Sequence, residues 1–135
     1  MNFEAIADAA PAIQLHLGAV ILSLLATLAI AIMKTGTRKH KFAGRVFVIM
    51  MAVTSISSFW INEIDMIAGF SMIHLLSIFV LINLFLGVRA ARNKQIARHR
   101  RHMRGTAIYG IGIAGAFTFL PDRLMYVVFL APLFN

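Results

Sequence analysis

The stretch AAPAIQLHLGAVILSLLATLAIAIM, residues Ala9–Met33, contains no charged side chain. A helix that crosses a bilayer needs about 20 consecutive apolar residues, so this stretch predicts a transmembrane helix. Pro11 suits the first helical turn, where its missing N–H would have no partner. A single imidazole, that of His16, interrupts the run.

Three further apolar runs of spanning length follow this one. They are predicted to cover Phe42 or Val46 to Asn62, about Ile67 to Val88, and about Gly105 to Leu120. The final apolar stretch, residues 124–134, contains Pro132 and is too short to cross a hydrocarbon core of about 30 Å. We expect it to lie at the membrane interface. The predicted fold is an all-α integral membrane domain, residues 1–135, with four transmembrane helices in one bundle.

The composition agrees with a membrane protein. Hydrophobic residues make up 60% of the chain and charged residues 13%, whereas a soluble domain has about a quarter of its residues charged. The chain has no cysteine, which excludes disulfides, thiol catalysis, iron–sulfur clusters and covalently attached c-type haem. Histidine is therefore the strong nitrogen ligand that remains for a metal or a haem.

The basic residues are concentrated in two connections between the apolar runs. KTGTRKHKFAGR, residues 34–45, and RAARNKQIARHRRHMRG, residues 89–105, contain nearly all of the 13 Lys and Arg residues. The positive-inside rule places both connections in the cytoplasm and both termini in the periplasm of a bacterial inner membrane. We expect these connections to attract anionic lipids, at about 1 kcal/mol per basic residue near the surface, and expect no nucleic-acid partner.

The two halves of the chain can be aligned with each other. The matching pairs are His16 with His74 at an offset of 58, His40 with His99 at 59, and Ser58-Phe59 with Thr118-Phe119 at 60. We interpret this as a duplicated helical hairpin, with halves at about residues 11–66 and 67–125. Two hairpins inserted with the same orientation are related by an axis along the membrane normal.

This duplication would place His16 and His74 at similar depths on parallel helices near the periplasmic face. An intramembrane imidazole must find polar partners or serve a function. One interpretation is axial ligation of a b-type haem by both residues, since such a haem is held without cysteine. A second is helix–helix hydrogen bonding or proton relay, with expected partners Ser23, Thr27, Ser71 and Ser77. A third is a copper or zinc site, for which Met66, Met72 and Met125 lie near the same side.

His40, His99 and His102 lie in the basic connections and are secondary candidates for a cofactor or metal site. A second haem between His40 and His99 in the same bundle is not expected. The 24 residues of helix from His16 to His40 would span about 36 Å, which is longer than the hydrocarbon core of about 30 Å. The string GIGIAG, residues 110–115, matches a nucleotide-binding pattern but lies inside an apolar run. We interpret its small residues as a helix-packing surface.

The motifs HLG, KTGTRKHKFAGR, SSFWI, HLLS, HRRHMRG and FTFLPDRLM together resemble the bacterial predicted-membrane-protein family called domain of unknown function 2306. The resemblance runs from about His16 to Met125. It implies a compact four-helix inner-membrane protein. The residues that match positions typical of the family are His16, His40, His74, His99, Met103, Gly105 and Arg123. A looser similarity to transmembrane cytochrome b bundles implies haem ligation, although those bundles usually carry two histidines in each ligating helix and this chain has one.

These observations favour a haem-binding protein that transfers electrons between a periplasmic partner and quinone. No nucleophile or acid–base pair is evident, so an electron carrier or subunit is expected rather than a self-sufficient enzyme. The alternative is a structural or transport subunit without a redox group, and self-association is compatible with either interpretation.

Overall fold

The computed structural model describes residues 4–61, 72–121, 123 and 125–134. All regular structure within these ranges is helical. The order is α1 (Glu4–Ala7), α2 (Pro11–Ile32), α3 (Arg38–Ser57), a 3₁₀ turn (Ser58–Trp60), α4 (Met72–Arg92), α5 (Ile96–Gly105), a π-helical segment (Thr106–Ile113), α6 (Ala114–Phe117), a second π-helical segment (Tyr126–Leu130) and α7 (Ala131–Phe134).

Three helices among the described residues are long and apolar enough to cross a membrane. They are Pro11–Ile32, Arg38–Trp60 and Met72–Arg92. The predicted fourth span, about Gly105 to Leu120, is helical from Thr106 to Phe117, as the π-helical segment and α6, and continues the basic helix α5. The chain is thus an all-helical membrane protein. Its predicted four-helix hairpin arrangement is taken up below as a proposal.

The basic connections are shorter than the sequence predicted. Helix α3 already begins at Arg38 and α5 at Ile96, so most basic residues lie on helices. Thr37 caps α3, because its hydroxyl accepts a hydrogen bond from the backbone N–H of His40 at 3.2 Å. Long basic side chains are compatible with helical backbone, and charge alone therefore does not mark a loop.

The turn between α4 and α5 is a Schellman motif. The N–H of Gln95 donates to the carbonyl of Ala90 at 2.8 Å, and that of Lys94 donates to the carbonyl of Ala91 at 3.1 Å. Lys94 occupies the left-handed position of this motif, with a φ of 57°. The end of α4 that carries this turn, together with the turn at residues 33–37, is called the basic end below.

Four helical stretches share one hydrophobic core. Its buried members are Ala26 of α2, Phe47 and Met51 of α3, and Val80 and Leu84 of α4; Met103, Ala107 and Ile111 pack against them. Helix α3 contacts α2 and α4, while the π-helical segment after α5 contacts both α4 and α2. The helices thus follow each other around the core, with α2 and α4 diagonally opposed.

The distribution of polarity is the reverse of that in a soluble protein. Eight of the eighteen buried residues within the described ranges are polar, including Ser23, Ser58 and Thr106. Large apolar side chains such as Leu25 and Phe85 are instead exposed, at 56% and 65%. This pattern is typical of membrane helices, which pack through small and polar residues and present apolar residues to lipid.

Some buried positions of the two halves match at the predicted offsets and others do not: Val80 and Ala90 are buried, whereas Leu22 and Ile32, 58 residues earlier, are exposed. On α2 and α4, the buried pairs Ala19/Ser77 and Ala26/Leu84 are each separated by 58 residues, while on α3 and the first π-helical segment Phe47 and Thr106 are buried 59 residues apart. The duplication itself stays a prediction. Its boundary at residues 66 and 67 lies outside the described residues, as do Asn62, the predicted end of the second span, and Ser71, an expected partner of His74.

The C-terminal stretch is helical from Tyr126 to Phe134. Its π-helical part contacts α1, and the Phe129 ring lies 6.5 Å from the Phe119 ring. Contact with α1, which precedes α2, places this stretch at the end of the bundle opposite the basic end. Leu133 and Phe134 are more than three-quarters exposed, as expected for side chains that enter the lipid interface.

Candidate histidine site

His16 lies in the second turn of α2 and is held by α3. Its Nδ1 atom lies 3.1 Å from the hydroxyl oxygen of Ser57, and that hydroxyl donates to the backbone carbonyl of Thr54 at 3.0 Å. A serine hydroxyl has one proton, which is used in the bond to Thr54. With the Ser57 proton assigned in this way, Nδ1 of His16 carries the ring proton and donates it to Ser57. The lone pair is left on Nε2, where an imidazole can accept a hydrogen bond or bind a metal.

His74 lies near the described start of α4 and is 3% exposed. Its ring lies 5.4 Å from the ring of Phe59, centroid to centroid, at 45°. One turn further along α4, the hydroxyl of Ser77 is hydrogen-bonded to that of Ser58. The same face of α4 thus presents an imidazole and a hydroxyl to the end of α3.

Both imidazoles therefore contact the same short segment of chain. Ser57 touches His16, and Phe59 touches His74. Two residues of helix advance by about 3 Å, so the two rings lie at nearly the same depth in the bundle. They reach this segment from diagonally opposed helices. Ligation of one shared group by both histidines stays a prediction.

The surroundings of these rings are small and polar, as a bound cofactor would require. Ala19 and Ser77, one turn beyond His16 and His74 respectively, are both buried. The Oγ1 atom of Thr54 is buried and has no hydrogen-bond partner among the described residues. Thr54 lies one turn before Ser57, so an unsatisfied hydroxyl is placed close to the His16 ring. Two imidazoles and an unused donor are compatible with a haem held by two axial nitrogens.

The three secondary candidates lie toward the basic end, away from His16 and His74. His99 Nδ1 donates to the Gly87 carbonyl at 2.9 Å, and His102 Nδ1 lies 2.9 Å from Asn83 Oδ1. These two histidines therefore attach α5 to α4. His40 is half-buried near the start of α3, and its Nδ1 atom is buried without a partner among the described residues.

The sequence pointed to the wrong partners for His16. Ser23 and Thr27 donate to the carbonyls of Ala19 and Ser23 within their own helix, both at 2.8 Å. The actual partner, Ser57, belongs to the motif SSFWI. The cluster of serines at Ser55, Ser57 and Ser58 was the available signal, but only the pairing of α2 with α3 identifies the partner.

A copper or zinc ion would find few ligands among the described residues. The described residues contain no group of three His, Asp or Glu side chains placed to share an ion. Met72, one of the expected thioether ligands, is 68% exposed, and Met66 lies outside the described residues. A copper or zinc ion usually takes more ligands than two imidazoles.

Comparison with known proteins adds a family to this geometry. The model of the family described as predicted membrane protein (DUF2306) matches residues 13–132. No curated protein and no solved structure matches the chain. The match includes His16, His74 and all of the spanning helices except the first two residues of α2. The chain therefore belongs to the DUF2306 family of predicted membrane proteins.

Proposed function

We propose that this protein binds b-type haem between His16 and His74 and carries electrons between a periplasmic partner and quinone. The observation that best supports it is the chain of hydrogen bonds from His16 through Ser57 to Thr54. With Ser57 donating to Thr54, that chain favours the tautomer of His16 whose Nε2 can act as a ligand. Metal-binding histidines commonly donate their other ring N–H in this way.

The protein's own residues would orient the haem and exclude water from it. When bound, haem supplies a reversible one-electron change at iron. Ser57 holds the plane of the His16 ring, and Phe59 covers one side of His74. The buried residues around them, among them Ser57, Ser58 and Ser77, are small and uncharged. His16 and His74 would hold the haem iron, and a haem would need fewer ligands from the protein than a copper or zinc ion usually takes.

The proposal includes a membrane topology. We infer that the π-helical segment and α6, which continue from the basic helix α5, form a fourth span, and that the two hairpins are related by an axis along the membrane normal. The basic end then lies in the cytoplasm of a bacterial cell, and both termini lie in the periplasm. His16 and His74 would lie in the periplasmic half of the inner membrane, within reach of a periplasmic electron partner.

A second candidate function is a scaffold or transport subunit without a redox group. The observation that favours it is that polar side chains already pair across helices at this end, His16 with Ser57 and Ser58 with Ser77. Such bonds hold membrane helices together at about 0.6 kcal/mol each. In that case the two histidines would stabilise the bundle or relay protons.

An absorption spectrum of the full-length protein distinguishes the two functions. We expect protein expressed with ample haem and purified in detergent to show a Soret band that shifts on reduction with dithionite. His16→Ala and His74→Ala should each abolish this band. His102→Ala is the matched control, since His102 contacts Asn83 at a different level of the bundle.

Two outcomes would contradict the haem proposal. The first is a folded protein with no Soret band under these conditions, which would favour the scaffold. The second is loss of the band in His102→Ala alone, which would move the site toward the cytoplasmic face. Circular dichroism of each variant checks that its helices are intact.

A further inference from the structure

A cleft of about 340 Å³ lies where α4 turns into α5 at the basic end. We call it the elbow cleft; its polar lining consists of Arg89, Asn93, Gln95, Arg98 and His102. The volume falls at the lower end of the range for small-molecule sites, about 300–1,000 Å³. It is separate from the His16 and His74 site, which lies at the opposite end of the bundle.

The cationic residues of this cleft have no acidic counterpart nearby in the chain. Arg89 and Arg98 line it from α4 and α5 respectively. The sequence contains no Asp or Glu from residue 66 to residue 121. Among the described residues, no acidic side chain pairs with either guanidinium group, so both are available to an anion from outside the chain.

The backbone around the elbow cleft offers free hydrogen-bond donors, whereas its carbonyl acceptors are already bonded. The last carbonyls of α4 accept hydrogen bonds from the N–H groups of Asn93, Lys94 and Gln95. Helix α5 begins immediately afterwards and has no side-chain cap, because the Gln95 side chain instead accepts a bond from Arg98 Nη1 at 3.2 Å. Free N–H groups and the positive end of the helix dipole favour an anion at such a position.

We propose that the elbow cleft binds a phosphate group through Arg89 and Arg98. A guanidinium group matches the oxygens of a phosphate by bidentate hydrogen bonding, and basic pockets between membrane helices on the cytoplasmic side bind phosphate headgroups. The last turn of α4 lies where a span leaves the apolar core, which is the depth of a headgroup. The bound group is either an anionic lipid headgroup or a soluble phosphate.

Native mass spectrometry and thermal unfolding of the full-length protein in detergent test this proposal. Phosphatidylglycerol and inorganic phosphate are titrated separately. The Arg89→Gln/Arg98→Gln variant should bind at least tenfold more weakly to whichever ligand saturates the unmodified protein. Arg100→Gln/Arg101→Gln is the matched control: it removes the same charge from exposed positions on α5 that do not line the elbow cleft, and it should stay within twofold.

The two ligands distinguish the source of the phosphate. Saturation by phosphatidylglycerol alone assigns the cleft to a lipid headgroup, and saturation by inorganic phosphate assigns it to a soluble anion; either supports the proposal. Equal loss in both double variants would overturn it, because binding would then reflect net charge alone. Lack of saturable binding in the unmodified protein would also overturn it. Both arginines are exposed, so neither substitution should impair folding.

Discussion

Gly36 and Lys94, 58 residues apart, are the two described residues with positive φ, at 81° and 57°. Each lies in the turn at the end of one proposed hairpin. The offset between them equals the offset between His16 and His74. Lys94 ends α4 in the left-handed conformation, whereas α2 ends at Met33 in an extended conformation and Gly36 lies later in its turn. The left-handed position is thus occupied by glycine in the first turn and by lysine in the second.

This difference predicts that Lys94→Gly stabilises the protein. A side chain in the left-handed region raises the energy of the folded state by about 1–2 kcal/mol, and the greater freedom of glycine in the unfolded chain offsets about 0.5–1 kcal/mol of the gain. We expect a net stabilisation of about 0.5–1 kcal/mol from these two effects. Thermal unfolding in detergent measures it. Lys94→Ala removes the same charge but keeps the Cβ, so it should give no such gain; equal stabilisation by both variants would show that charge is responsible.

The bond between His16 and Ser57 predicts a second effect. Ser57→Ala leaves the Nδ1 proton of His16 without its acceptor, and we expect a loss of about 1 kcal/mol in the free energy of unfolding. If haem is bound, the loss of this hydrogen bond to the His16 ring should also change the redox potential of the haem. Ser23→Ala is the matched control, since Ser23 is fully buried but bonds only within α2. Equal losses in the two variants would mean that the interhelical bond contributes nothing.

The sequence predicted the helices well because apolar runs of spanning length need no tertiary information. The runs around His16 and His74 correspond to α2 and α4, and charge-free residues from Gly105 onward continue the helix that begins at Ile96. Helix ends were less predictable. Arg38 and Ile96 begin helices inside segments that looked like connections, because basic side chains are compatible with helical backbone.

The candidate site could be predicted only in part. The paired positions of His16 and His74 follow from the repeat, but the identity of a hydrogen-bond partner depends on which helices pack together. Ser57 is 41 residues from His16 and contacts it because α2 lies against α3. The role of His102 likewise depends on Asn83, which is 19 residues away on α4.

The proposed topology predicts opposite labelling at the two ends of the bundle. Thr35 lies exposed in the turn after α2, and Ala10 lies exposed just before that helix. In intact cells, a membrane-impermeant thiol reagent should label Ala10→Cys and leave Thr35→Cys unmodified until the cells are opened. The chain has no cysteine of its own, so the background is low. Labelling of Thr35→Cys in intact cells would reverse the orientation.

Close packing at Gly110 predicts a loss of stability when a single methyl group is added there. A Cβ at this position would lie 2.6 Å from Cε of Met51 and 3.1 Å from Cγ2 of Val80. Both neighbours are almost fully buried, so neither can move away without disturbing the core that joins α3 and α4 to the π-helical segment. We expect Gly110→Ala to destabilise the fold by about 1–3 kcal/mol, the usual effect of overpacking.

Gly115 provides the matched control for this substitution. A Cβ added there meets no atom within 4 Å, so Gly115→Ala should be neutral or stabilise by up to about 1 kcal/mol through helix propensity. Unfolding of both variants is followed by circular dichroism in the same detergent. If Gly110→Ala is as stable as Gly115→Ala, the helical segment at residues 106–113 is not packed against Met51 and Val80, and the ring of four helical stretches around one core is wrong.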